Sequence, residues 1–324
     1  MNLELIQALH DLEKEKGINF DVLVEAIEAA LISAYKKNFG TLQNVRVAFN
    51  KETGEINVFS RKTIVEKVND PRLEISLDEA RRLDPRYELN DIVEFEETPQ
   101  NFGRIAAQTA KQVVVQRIRE AERDLIYDEF TNREGDIVTG IIQRVENRAI
   151  LIDFGKTEAV LSLNEQIPGE QYVQGARIKT YIIEVKKTTK GPQILVSRTH
   201  PGLLKRLFEL EVPEIHDGIV EIKSVSREAG SRSKIAVHSK NENVDPVGSC
   251  VGPKGMRVQN IVQELKGEKI DIVKWSSDPT EFIANALSPA KVLSVDILPT
   301  EKVARVVVPD YQLSLAIGKE GQNA

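Results

Sequence analysis

Two short glycine loops constrain this chain more than any other feature. One reads Val251-Gly252-Pro253-Lys254-Gly255 and the other Ile317-Gly318-Lys319-Glu320-Gly321, with their first glycines 66 positions apart. Each follows a pair of short apolar strands, and the first runs straight into a helical stretch. Glycine lets the backbone approach a ligand closely and turn tightly. A helix that follows directs its free amides and positive dipole end at whatever occupies the turn. With lysine inside, the pattern suits a clamp on the backbone of single-stranded nucleic acid. A single G-x-x-G is a weak signal, because turns before helices often hold two glycines. Two copies at matched positions are much stronger. The candidate RNA-binding residues are therefore Gly252, Pro253, Lys254 and Gly255 in one loop and Gly318, Lys319 and Gly321 in the other. Lys254, Arg257 and Lys319 are the expected phosphate contacts, and Glu320, which would repel a phosphate, is expected to face solvent.

The loops sit in repeated units. Residues 201–275 read as helix 202–211, strands 219–226 and 233–239, a short segment ending at Val251, the loop, helix Met256–Leu265 and strand Lys269–Trp275. Residues 278–324 begin the same order: helix Pro279–Ala286, strands Val292–Leu298 and Val303–Val308, segment 310–316, loop. About 20 residues complete the first unit after Gly255, and three follow Gly321. The second unit is therefore expected to be incomplete and the sequence to be part of a longer protein.

Upstream the style differs. Residues 134–199 contain short strands and glycine-rich turns at Asp136–Val145, Ala149–Phe154, Glu158–Leu163, Arg177–Val185 and Ile194–Ser197. Five such strands suit a small Greek-key barrel of the OB kind. A hairpin over 186–192 projects Lys186, Lys187 and Lys190 beside Arg198, four further candidate phosphate contacts. The barrel offers few stacking aromatics, only Phe154, Tyr172 and Tyr181, so its contact with RNA is expected to be electrostatic.

Residues Ile105 to Phe130 lack Gly and Pro and read as one long helix, with Ala106, Ala110, Val113, Val114, Ile118, Ala121 and Leu125 on its inner face. It is expected to link the first domain stiffly to the second. Before it lies a mixed segment with helices ending at Gly17 and starting near Asn19 or Asp21. Strands follow at Val45–Phe49, Glu55–Phe59, Ile64–Val68 and Asp91–Glu97. Ser76-Leu77-Asp78-Glu79 is a capping box that opens a short helix.

The net charge of −6 is unevenly spread. Residues 1–130 hold 18 Lys and Arg against 25 Asp and Glu, a net of −7; residues 131–200 hold 10 against 8, and residues 201–324 hold 16 against 17. The division suggests RNA held downstream and a protein partner met upstream, for which a basic surface would suit. A lone cysteine, Cys250, excludes an internal disulfide and a cysteine zinc cluster, placing the chain in a reducing cytoplasm, and reads as a small buried residue. Scattered histidines argue against a metal site. No Ser or Thr follows the loop lysine to hold magnesium, and G-x-G-x-x-G and G-x-S-x-G are absent. The reading is a binding protein, not an enzyme, without cofactor or membrane span.

Four stretches carry a resemblance: 102–112 (FGRIAAQTAKQ), 191–199 (GPQILVSRT), 245–255 (DPVGSCVGPKG) and 316–323 (AIGKEGQN). With this order of domains, the chain resembles the NusA family of bacterial transcription elongation, termination and antitermination factors from end to end. The resemblance implies a multidomain α+β protein. Its parts are an N-terminal α/β domain with a long connecting helix (1–130), an OB-fold barrel of the ribosomal S-one type (131–200), and two tandem type II KH domains (201–277 and 278–324), the second truncated. It further implies a monomer that docks on RNA polymerase near the RNA exit channel, with other antitermination factors as partners. The barrel and KH pair would then track the emerging transcript and modulate pausing and termination. Polynucleotide phosphorylase also carries KH and S-one-type modules, but places KH first, after a large catalytic core that this chain lacks. A free-standing RNA-binding protein, a chaperone or ribosome-associated factor, is the alternative; it predicts RNA binding without polymerase.

Overall fold

The computed structural model describes residues 2–39, 44–99, 102–298 and 303–323. The chain divides into two compact units, Met1–Leu125 and Ile126–Ala324.

In the first unit, helices α1 (Asn2–Lys16) and α2 (Phe20–Phe39) are separated by Gly17, whose φ of +67° ends α1. Asn19 Oδ1 accepts from the Asp21 amide at 2.8 Å and starts α2. Leu23, Val24, Ile27, Leu31 and Tyr35 recur every three or four residues and bury one face of α2. That face packs on β1 (Val45–Phe49) and β2 (Ile56–Val65), which pair antiparallel with Val47 opposite Val58. The sequence reads two strands, 55–59 and 64–68, where the structure has the single strand β2. Arg61 and Lys62 break the apolar alternation but are matched across the sheet, Arg61 3.4 Å from Glu94 and Lys62 over the Phe95 ring. β3 (Glu74–Ser76), absent from the sequence reading, adds in parallel, and β4 (Ile92–Glu96) adds antiparallel. Ser76 caps α3 (Leu77–Leu83), its hydroxyl accepting from the Glu79 amide at 3.3 Å, as the capping box predicts.

The long helix α4 is continuous from Phe102 to Thr131. Its inner face is not. Phe102, Ala106 and Ala110 are buried in the core of the first unit, whereas Leu125 is 60% exposed. Phe130 then enters the core of the barrel, with Ile126 and Tyr127 packed beside it. The end of α4 thus packs with the barrel.

The second unit opens with a closed barrel of order β5-β6-β7-β9-β8, from β5 (Ile137–Val145), β6 (Ala149–Asp153), β7 (Glu158–Ser162), β8 (Arg177–Thr188) and β9 (Gly191–Ser197). Inward residues alternate along β8 as Ile178, Thr180 and Ile182; a bulge between Ile182 and Glu184 then shifts the next buried side chain to Val185.

Next come α5 (Pro201–Glu211), α6 (Pro213–His216), β10 (Val220–Glu228), β11 (Arg232–Ser239), α7 (Pro246–Val251), α8 (Met256–Glu264) and β12 (Lys269–Lys274). The sheet order is β10-β11-β12, with β12 parallel to β11. Leu204, Phe208, Ile235, Val237, Ile261 and Leu265 form its buried centre. The repeat follows as α9 (Pro279–Ala286), β13 (Ser294–Leu298), β14 (Val303–Val307) and α10 (Leu313–Ile317). Here an apolar groove of about 520 Å³ lies open between Ile283, Leu287, Val306, Leu313 and Ile317. In the first repeat Ile261 of α8 and Leu265 just after it are buried in the core. No helix among the described residues is long and apolar enough to cross a membrane.

Candidate nucleic-acid interface

Local chemistry builds the first loop. Asp245 caps α7, its carboxylate accepting from the amides of Val247 at 3.1 Å and Gly248 at 3.0 Å. Pro246 follows at the first helical position, where its missing N–H costs nothing. Gly252 ends α7 at φ +71°, ψ 178°; Lys254 (φ +52°, ψ 23°) and Gly255 (φ +76°, ψ 14°) are both left-handed, and α8 begins at Met256. The turn presents its backbone at the N-terminal end of α8, where free amides and the helix dipole favour an anion. Cys250, just before it, is buried, and burial pushes its thiol up to about 12, so it is no nucleophile at neutral pH.

The second loop repeats this geometry. Gly318 lies at φ +77°, ψ 173°, Glu320 at φ +56°, ψ 23°, and Gly321 at φ +76°. Both loops are braced from beneath by the residue two positions after their second glycine. Arg257 Nη1 donates to the Ser249 carbonyl at 2.6 Å, and Asn323 Nδ2 donates to the Leu315 carbonyl at 3.2 Å. Each carbonyl lies three residues before the loop's first glycine. A Cβ on Gly252 would come within 2.7 Å of Arg257, and one on Gly318 within 2.9 Å of Asn323. The first glycine of each loop is therefore needed to admit the brace.

Lys254 is exposed on its loop, and Lys319 and Glu320 are 85% and 78% exposed with 3.7 Å between their charges. Glu320 faces solvent, as expected. Arg257 behaves differently from the expectation: its guanidinium is committed below the loop to Ser249 and, at 2.9 Å, to Glu214. It shapes the turn and does not project from it.

Arg198 requires a correction. Its side chain is fully buried, so it cannot meet a phosphate on the surface. Its Nε and Nη2 both donate to the Glu170 carboxylate. Nη1 donates to the Lys179 carbonyl at 2.9 Å, and Nη2 to the carbonyl of Glu264, the last residue of α8, at 3.0 Å. A cation there complements the negative end of the helix dipole. Arg198 thus ties the barrel to α8. Tyr172, one of the three barrel aromatics, serves the same cluster by donating to Glu170 at 2.7 Å; burial is the main reason its phenol is shifted upward. Tyr181 stacks on His200 at 4.6 Å and Phe154 on Phe130 at 5.9 Å. None of the three is a vacant platform for a base.

The lysine hairpin is narrower than the sequence suggests. β8 and β9 pair out to Thr188 opposite Gly191, so Lys186 and Lys187 belong to a strand and only Thr189 and Lys190 form the turn. All three lysines are exposed. Lys186 lies 3.1 Å from Glu184, and Lys187 lies over the Tyr127 ring.

Sequence reasoning missed a second buried cluster. Arg227 donates to both oxygens of Glu268, at 2.8 and 2.9 Å, and to the His200 carbonyl at 2.9 Å. Glu268 also accepts from the Gly230 amide and the Ser233 hydroxyl. Burial pushes its carboxyl up, but these donors outweigh it and hold the carboxyl below its ordinary range. This cluster holds the β10–β11 turn, to which Gln322 donates through Glu228 and Ser231, both at 2.9 Å. Lys234 donates to the carbonyl of Ala286 at the end of α9. The second loop is thereby fastened to the first repeat. Nothing in the spacing of Arg227, Glu268 and Gln322 marks them as partners.

Four family models match in sequence order: the NusA N-terminal domain over residues 4–124, the S1 RNA binding domain over 131–197, and the NusA-like first and second KH domains over 198–275 and 279–324. The transcription termination/antitermination protein NusA of Halalkalibacterium halodurans is 67% identical over all of this chain and 85% of its own length. That of Bacillus subtilis is 67% identical over all of this chain and 87% of its own. A solution structure of the N-terminal domain of the B. subtilis protein is 63% identical, covering 38% of this chain and 99% of its own, at a TM-score of 0.36. With such relatives matched along its whole length and all four domain models in place, the chain belongs to the NusA family.

Proposed function

We propose that the protein acts in transcription termination and antitermination by holding nascent single-stranded RNA while docked on RNA polymerase. The observation that carries the RNA half is the pair of loops with one backbone geometry, each open to solvent with left-handed turns already formed. Gly252, Pro253, Lys254 and Gly255, and Gly318, Lys319 and Gly321, are the clamps; their close-approach backbone meets phosphates. Lys186, Lys187 and Lys190 add a weaker, sequence-independent contact from the barrel edge. The protein works by binding and not by catalysis, in the cytoplasm, where the transcript emerges. The acidic residues 1–130 are the polymerase-docking part, placed near the RNA exit channel, where the two RNA-holding repeats would meet the transcript.

The test is a double variant, Gly252→Asp with Gly255→Asp. Its carboxylates oppose phosphates, and its side chains block the approach. Single-stranded RNA affinity should fall at least tenfold, about 1.4 kcal/mol or more, while binding to purified bacterial core RNA polymerase persists. Unchanged RNA affinity in the folded variant would refute the clamp. Failure of the parent protein to bind polymerase would leave a free-standing RNA-binding protein.

A further inference from the structure

Resting on the clamp reading above, we propose that Gln322 is a positioning residue. It holds the second clamp at a set distance from the first, so that the pair grips one RNA strand at a single span.

Two clamps on one strand help each other when the protein fixes the distance between them. The second binding step is then intramolecular, at an effective concentration set by that distance and by how firmly it is kept. Gln322 directly follows Gly321, the last glycine of the second loop. Its Nε2 donates to a carboxylate oxygen of Glu228 and to the Ser231 hydroxyl, each at 2.9 Å and both in the first repeat. A hydrogen bond to a charged acceptor is stronger than a neutral one. The next residue, Asn323, is the brace of the second loop, so the backbone that carries Gln322 is itself held.

The acceptors sit on a turn pinned to the interior. The Ser231 amide donates to the Glu228 carbonyl at 3.0 Å and closes the turn, and the Ser231 carbonyl accepts from the Lys269 amide at 3.0 Å. Between them the Gly230 amide donates to the buried Glu268 at 2.9 Å, and Arg227, beside Glu228, donates to both Glu268 oxygens. Glu268 lies just past the end of α8, its amide donating to the Leu265 carbonyl at 3.4 Å. Met256, the first residue of α8, directly follows Gly255 of the first loop. The first clamp therefore sits at one end of α8 and the anchor of the second at the other, with nine residues of helix, about 14 Å, as the spacer. Lys234, through the Ala286 carbonyl of α9, holds the same two repeats together at a second point.

The experiment measures binding of the full chain to single-stranded oligoribonucleotide pools of graded length, starting at about four nucleotides, the stretch one such loop holds. Affinity of the parent should climb once the strand reaches both loops. Gln322→Ala should leave affinity for the shortest strands unchanged and cut the gain on longer ones by about threefold or more. With the acceptors already removed, in a Glu228→Ala, Ser231→Ala background, Gln322→Ala should be silent at every length. It should also be silent in the Gly252→Asp, Gly255→Asp background, where no first clamp remains to be aligned. Melting curves that match the parent's show that each variant folds. Equal affinity of parent and Gln322→Ala at every length would overturn the proposal. So would an equal loss at every length, or a loss that persists without the first clamp; either would make Gln322 a direct RNA contact. Gly318→Asp with Gly321→Asp keeps the failures apart. If that variant removes the gain with length while Gln322→Ala keeps it, only the alignment falls; if it binds as the parent does at every length, the second clamp falls with it.

Discussion

Arg198 shows how much a residue's role depends on what surrounds it. In sequence it stands near three lysines in the most basic stretch of the chain, which invites a phosphate. In the fold its guanidinium is spent on Glu170 and two backbone carbonyls and sees no solvent. Removing one partner of a buried pair leaves the other charge uncompensated, at a cost of about 3–5 kcal/mol. Arg198→Ala should therefore lower the stability of the second unit by that amount in urea titrations. Without urea, where it stays folded, its RNA salt slope should match the parent. A shallower slope would restore Arg198 to the RNA surface. The loop residues are legible in the sequence because glycine advertises unusual backbone. Burial of an arginine is not, since the same side chain serves equally on a surface, and only the fold brings Glu170 and Glu264 to it.

Elements tell a similar story in packing terms. Barrel strands whose alternation follows one core are legible to within a residue, as in Ala149–Asp153 and Glu158–Ser162, whereas β8 and β9 each run three residues further into the hairpin than their apolar pattern shows. Sequence and structure part where an element serves two surroundings. α4 reads as a helix with one inner face, but its start and its end are buried in different cores, and the middle has no reason to be apolar. β2 reads as two strands because its cations are satisfied by neighbouring strands, which sequence does not reveal. The junction of barrel and α5 is tight in a way that can be measured. A Cβ at Gly202 would lie 2.5 Å from the Tyr181 ring, which is itself stacked on His200, the residue capping α5. Gly202→Ala should cost about 1–3 kcal/mol through overpacking, offset in part by the better helix propensity of alanine. Denaturant midpoints would check it, and a neutral or stabilising effect would mean that the ring has room to move.

At the scale of the whole molecule, the sequence shows how charge is apportioned among domains but not where each charge points. The barrel's excess of cations is real in composition, yet Arg198 is internal and Lys186 is paired with Glu184. The electrostatic contribution of the barrel should accordingly be modest. Replacing Lys186, Lys187 and Lys190 together by alanine should flatten the RNA salt slope by about 0.7 for each phosphate no longer neutralised, equally for all RNA sequences. An effect confined to one sequence would instead mean base readout at the barrel. The left-handed residues of the two loops carry a final implication, one of timing. Lys254 and Glu320 hold left-handed conformations that the folding of each repeat and its brace imposes. The loops therefore need not rearrange when a transcript arrives. Capture can proceed at the pace of encounter, and how long the strand stays is decided afterwards by how easily it lets go.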